Sequence, residues 1–179
     1  YNLDSDLYGG YDVQTNHNLT RTVRMEGLEF DYKQALTFLP ERARGVQIFA
    51  NASAQRATGE ASNNFTGYVP RSGSWGVSLN RPKYTLKANW NYRGRRRQGV
   101  LAGRGLEPGT FEWDSKRLSL DVFGEYRLSR NLAAFASLRN VNGANLDVKR
   151  FGPSTPPIAR FRQRQDYGSA WIFGLKGTL

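Results

Sequence analysis

The chain has 179 residues, with 26 Lys and Arg against 15 Asp and Glu, for a formal net charge of +11. It has no cysteine and one histidine. That excludes a disulfide framework, a Cys-based zinc site and a thiol nucleophile, and His17 cannot form a multi-histidine metal site. His17 lies in a polar stretch with Asp12 and Asn16 and has no nucleophile motif near it, so no catalytic residue, no metal and no cofactor is expected. The protein is read as a non-enzyme.

Both the composition and the patterning point to β structure. There are 19 Gly, 9 Tyr, 10 Phe and 4 Trp, a mixture suited to strands and tight turns. Taken in chain order, a first weak strand is expected around Tyr8 to Gln14. Leu28, Phe30, Tyr32, Leu36 and Phe38 then alternate with Glu29, Asp31, Lys33 and Thr37. Val46, Ile48, Ala50 and Ala52 alternate with Gln47, Asn51 and Ser53. Trp75, Val77 and Leu79 alternate with Gly76, Ser78 and Asn80. From Lys83 to Arg93, Tyr84, Leu86, Ala88, Trp90 and Tyr92 share one face. From Leu118 to Leu128 the pattern repeats, with Phe123 as the exception. Leu132 to Val141 is strand-like with less distinct faces. Tyr167, Ser169, Trp171, Phe173, Leu175, Gly177 and Leu179 form one face of the last segment. A period of two puts such residues on one side of a strand, whereas a helix would scatter them.

This predicts an all-β fold of about eight antiparallel strands, several of them long. A strand of about 12 residues, rising roughly 3.3 Å per residue and tilted about 45°, spans a bilayer's hydrocarbon core. Long strands with an apolar/polar dyad repeat suit a transmembrane β-barrel. A soluble sandwich or lipocalin-like barrel with one buried face is the competing reading. Connection lengths favour the membrane. Leu39 to Arg42, Asn80 to Pro82, and Ser129 with Arg130 make short turns. Gln55 to Arg71, Gly94 to Thr110 and Asn142 to Asp166 make long segments of about 17 to 25 residues, rare in soluble domains. Outer-membrane barrels alternate short periplasmic turns with long extracellular loops. Trp75, Trp90, Tyr92, Trp113 and Trp171 are expected near strand ends, where a membrane interface would hold amphipathic rings.

Several segments together resemble the C-terminal part of the β-barrel of TonB-dependent outer-membrane receptors. Arg24-Met25-Glu26-Gly27-Leu28-Glu29-Phe30 looks like one of that family's strands, followed by a strand ending Ala50-Asn51-Ala52-Ser53. Val69-Pro70-Arg71 before a Trp-containing strand, then Tyr84 to Arg97, resembles the next hairpin. Leu118 to Leu128, Asn131-Leu132 and Arg139-Asn140-Val141 resemble the penultimate hairpin. Phe173 to Leu179 is similar to the final strand. The family ends more often in Phe than in Leu. Trp171, Phe173, Leu175 and Leu179 would carry the C-terminal signal read by the barrel-assembly machinery.

The resemblance implies residues 1–179 of a 22-stranded barrel's C-terminal segment, without the plug domain. It implies the bacterial outer membrane as location and transport of a scarce ligand as function. Implied partners are outer-membrane lipid, the rest of the barrel and plug, and the TonB energy-coupling system acting through that plug. The transported ligand stays open. The alternative is a complete eight-stranded barrel with a structural or adhesive role. Arg93, Arg95, Arg96 and Arg97, with Arg160, Arg162 and Arg164, are candidate contacts for anions or lipid headgroups. Lipid phosphate suits them better than nucleic acid, and a solvated loop flank is the plainer reading.

Overall fold

A computed structural model describes residues 21–59, 65–101 and 105–178. The strand expected around Tyr8 to Gln14, His17 and the terminal Leu179 lie outside the described residues. The described chain is all-β. Its strands are β1 (Arg24–Ala35), β2 (Val46–Thr58), β3 (Arg71–Asn80), β4 (Tyr84–Arg93), β5 (Arg96–Val100), β6 (Phe111–Asp114), β7 (Arg117–Arg127), β8 (Leu132–Arg139), β9 (Leu146–Phe151), β10 (Phe161–Gln165) and β11 (Ala170–Gly177). Single 3-10 turns occur at Glu41–Ala43 and Pro157–Ala159.

Every pairing is antiparallel, and the strands form two sheets. Seven run in the order β1-β2-β3-β4-β7-β8-β11, and four in the order β10-β9-β6-β5. The large sheet is an up-and-down meander in which each excursion returns beside its own starting strand. It is open, with β1 and β11 at its edges and no closed barrel among the described residues.

Seven of the expected strands are present, with shifted ends. β1 starts at Arg24 rather than Leu28 and stops at Ala35. Leu36 and Phe38 lie beyond it, because Leu36 donates its N–H to the Val46 carbonyl (2.9 Å) and the chain turns toward Pro40. Gly45 takes φ +92° at the end of that turn, and a Cβ there would sit 2.2 Å from the Asn80 carbonyl oxygen. Only glycine fits that position. β3 begins at Arg71 and places Trp75 in the strand's middle, not at its end.

The larger correction concerns the long segments. Gly94 to Thr110 contains β5, and Asn142 to Asp166 contains β9 and β10. Both fold back as hairpins, and β6 pairs with β9 to join them into the second sheet. Glu107 fastens their tips, accepting the Ser154 N–H at 2.9 Å and the Ser154 hydroxyl at 2.8 Å.

Asn140 ends β8. It adopts φ 52°, a left-handed conformation that Asn tolerates better than most residues. Its carboxamide accepts the Ala144 N–H (2.9 Å) and donates to the Gly168 carbonyl (2.6 Å). Its own N–H goes to Asp121 (2.9 Å). Asn142 then substitutes for the missing strand, accepting from Leu120 N–H and donating to the Leu118 carbonyl. The Arg139-Asn140-Val141 stretch therefore works as a stop, freeing the backbone to enter the second sheet.

Candidate functional site

The register of the large sheet sorts its side chains into two faces. Residues paired across antiparallel strands share a side. Tyr32 pairs with Ala50, Ala50 with Trp75, Trp75 with Trp90 and Trp90 with Leu120. Val122 pairs with Leu138, Leu138 with Trp171, and Ala136 with Phe173. The apolar set is therefore continuous across all seven strands. Nothing in the described chain covers it. Leu28 is 81% exposed, Trp171 63%, Phe173 67% and Leu175 68%. The buried hydrophobic residues among those described are Ala133, Leu146 and Val148, and two of these belong to the second sheet. A water-facing surface rarely carries apolar patches of this extent.

The opposite face is polar and hydrogen-bonded within itself. Asn51 donates to Ser74 (2.9 Å), and Ser53 and Ser72 share a 2.8 Å hydrogen bond. Asn89 donates to Asn91, and Asn91 donates to Asp121 at 2.9 Å. Lys176 pairs with Glu125, tying β11 to β7 across β8. Three rings interrupt the polarity. Phe49 lies against Gly76, where a Cβ would come within 2.6 Å of the ring, and the Lys87 ammonium stands 4.7 Å from the Phe49 centroid. Phe135 covers Gly174 in the same way, at 2.7 Å from a Cβ position. Phe123 lines the same hollow as Phe49 and Lys87.

The second sheet is held by charge. Asp114 has no solvent exposure, and its carboxylate meets Arg96 at 2.6 Å and Arg93 at 3.6 Å. Gln98 donates to its other oxygen. Glu112 is paired with Arg150 (3.3 Å) and with Arg162. Arg164 forks onto Asp147 at 2.8 and 3.2 Å. That hydrogen-bonded guanidinium holds the Asp147 carboxyl below its ordinary value of 3.8. The same contact raises the already high Arg164 value. Arg95 stands over Trp113 (4.9 Å) and Phe151 (5.2 Å), Arg97 over Phe111 (4.7 Å), and Arg160 over Phe151 (5.2 Å). Cations over ring faces are attracted by the ring quadrupole.

The arginines singled out in the sequence thus have partners within the chain. Arg93, Arg96, Arg162 and Arg164 bind carboxylates, and Arg95, Arg97 and Arg160 stack on rings. The residues that organise them, Asp114 and Glu112, carried no signal in the sequence, since acids alternating with rings in a short segment read as a solvated face.

The aromatic residues divide between the sheets. Trp90 and Tyr92 lie near the long-loop end of β4, and Trp171 lies near the same end of β11, opposite Leu138. Trp113 belongs to the second sheet, edge-on to Phe151 at 6.3 Å. Tyr84 and Tyr126 pair at the short-turn end. Tyr84 and Tyr92 are eight residues apart on β4, about 26 Å along the strand. Trp171, Phe173 and Leu175 share the exposed face of the edge strand β11. No group of three or more His, Cys, Asp or Glu able to hold a metal occurs among the described residues.

The chain matches no family model, no curated protein and no solved structure.

Proposed function

We propose that the chain is part of the wall and loop region of an outer-membrane β-barrel. It is the C-terminal barrel portion of a TonB-dependent receptor that takes up a scarce ligand. One observation carries this reading: an unbroken apolar face across seven antiparallel strands, uncovered, backed by a polar face with its own hydrogen bonds. Lipid suits the first face, and a water-filled or plug-filled lumen suits the second. Tyr84 and Tyr126 at one end of the apolar band and Trp90, Tyr92 and Trp171 toward the other fit two headgroup layers. The second sheet stands at the long-loop end, the extracellular side in such barrels, where capture of ligand takes place.

The outer edges of β1 and β11 support the receptor form over an isolated sheet. Unpaired backbone does not persist in hydrocarbon, so both edges need strand partners. In a receptor these come from the rest of the barrel. In a small complete barrel β1 would close toward β11. Disulfide trapping between cysteines placed on these two edges separates the forms, because only the small barrel brings them together. For membrane insertion itself, the protein should need detergent or lipid to fold and should migrate differently in SDS gels before and after boiling. A monodisperse, folded, detergent-free protein would overturn the reading.

A further inference from the structure

A cleft of about 350 Å³ opens where the large sheet meets the second one. Arg95, Lys116, Lys149, Trp113, Ser115 and Phe151 line it. The acid at its wall, Asp114, has no solvent exposure and is already held by Arg93, Arg96 and Gln98. Lys116 and Lys149 form no ion pair with any described residue, and Arg95 is occupied by ring faces rather than a carboxylate. Elsewhere in the second sheet Arg96, Arg150, Arg162 and Arg164 each meet an acid. Here three cations converge, and the one acid whose field reaches them, Asp147 beside Lys149, is already forked by Arg164. Such a concentration of like charge draws an anion.

The position narrows the anion's chemistry. Leu118 pairs with Tyr92 on the apolar face. Lys116 directly precedes β7, two residues before Leu118, and so stands just beyond the band. Trp113 and Phe151, set edge to face, give the cleft an apolar platform beside its charges. A molecule with acyl chains on the apolar face and a phosphate at its head would meet both features at once.

We propose that this cleft binds the phosphate of an anionic lipid headgroup, with Lys116 and Lys149 as direct ligands and Arg95 held over Trp113 as the third. The proposal rests on the reading of the apolar face as lipid-facing. A basic side chain near an anionic lipid surface contributes about a fivefold factor in affinity.

The test is native mass spectrometry of the folded protein in neutral detergent, titrated with phosphatidic acid. Binding should weaken about 25-fold in the K116Q/K149Q double variant. It should persist in K116R/K149R, which keeps the charges and serves as the folding control. Diacylglycerol, which lacks the phosphate, should bind neither. Equal phosphatidic acid binding by wild type and K116Q/K149Q would overturn the proposal. So would saturation by inorganic phosphate alone at the same concentration, which would make the cleft a soluble-anion site. Failure of the membrane reading shows separately, as a wild-type protein that stays folded and monodisperse without detergent.

Discussion

Asp114 loses all exposure to solvent in a contact with Arg96 at 2.6 Å. The pair lies where β4 passes into β5 and β6 returns toward β7, so one carboxylate joins both hairpin arms. Its other oxygen takes a hydrogen bond from Gln98. Removing one partner of a fully buried pair costs about 3–5 kcal/mol, and the loss here is smaller because the stranded Arg93 and Arg96 are each about a third exposed. Asp114→Ala should therefore detach the second sheet, read as faster amide exchange in β5, β6 and β9. The heat-dependent gel shift of the large sheet should be unchanged. Asp114→Asn loses the charge but keeps one accepting oxygen for Arg96, and its new NH2 can donate to Gln98 only if that amide turns over, so it should cost less than Asp114→Ala.

Gly76 predicts a packing effect on the polar face. A Cβ there would meet the Ala88 carbonyl oxygen at 2.1 Å and the Phe49 ring at 2.6 Å. The backbone contact cannot be relieved by a rotamer change. Gly76→Ala should destabilise the sheet by about 1–3 kcal/mol, read as a lower urea midpoint in detergent. Phe49→Ala in the same background should restore little, because the carbonyl clash remains.

Asn140 predicts a different failure. Asn140→Gly keeps the left-handed backbone but loses hydrogen bonds to Ala144 and Gly168. It should cost about 1–2 kcal/mol. Asn140→Val adds backbone strain and should cost more. Limited proteolysis between β8 and β9 should speed up in that order.

The Asp147–Arg164 fork fixes the sign of a pH effect. The folded carboxyl titrates below its ordinary 3.8. Its contribution is complete above the unfolded value and is lost as pH falls through the lower folded one. β10 should therefore loosen from β9 only in strong acid. Amide exchange at Phe161 to Gln165 should rise there in wild type. In Arg164→Gln the same strand should be looser at neutral pH, with less further change on acidification.

The seven long strands are legible because one face of each is apolar and the other is not, so alternation survives. Lys83 to Arg93 shows it most plainly, and β4 spans nearly the same residues. Strand ends are less legible: Leu36 and Phe38 continue the alternation past β1, yet the turn toward Pro40 claims them. β5, β6, β9 and β10 escape detection for a different reason. They are four to six residues long, and in β5 and β9 both faces carry charge. In Phe111-Glu112-Trp113-Asp114 the buried residues are the acids. Their burial depends on arginines from other strands, Arg93 and Arg96 for Asp114 and Arg150 and Arg162 for Glu112, a long-range pairing that no local period records. For the same reason Lys116 and Lys149 become notable only after the neighbouring charges have been matched.

The alternating faces of β4 offer the most direct measurement. The chain has no cysteine, so single cysteines from Tyr84 to Arg93 can each carry a nitroxide in the lipid-reconstituted protein. Leu86, Ala88 and Trp90 positions should be relaxed by oxygen, which concentrates in lipid. Lys87, Asn89 and Asn91 positions should be relaxed instead by a water-soluble nickel chelate or shielded from both agents. Oxygen accessibility should thus oscillate with a period of two. Equal relaxation of both faces by the aqueous chelate, with no oscillation in oxygen accessibility, would contradict a lipid-facing sheet.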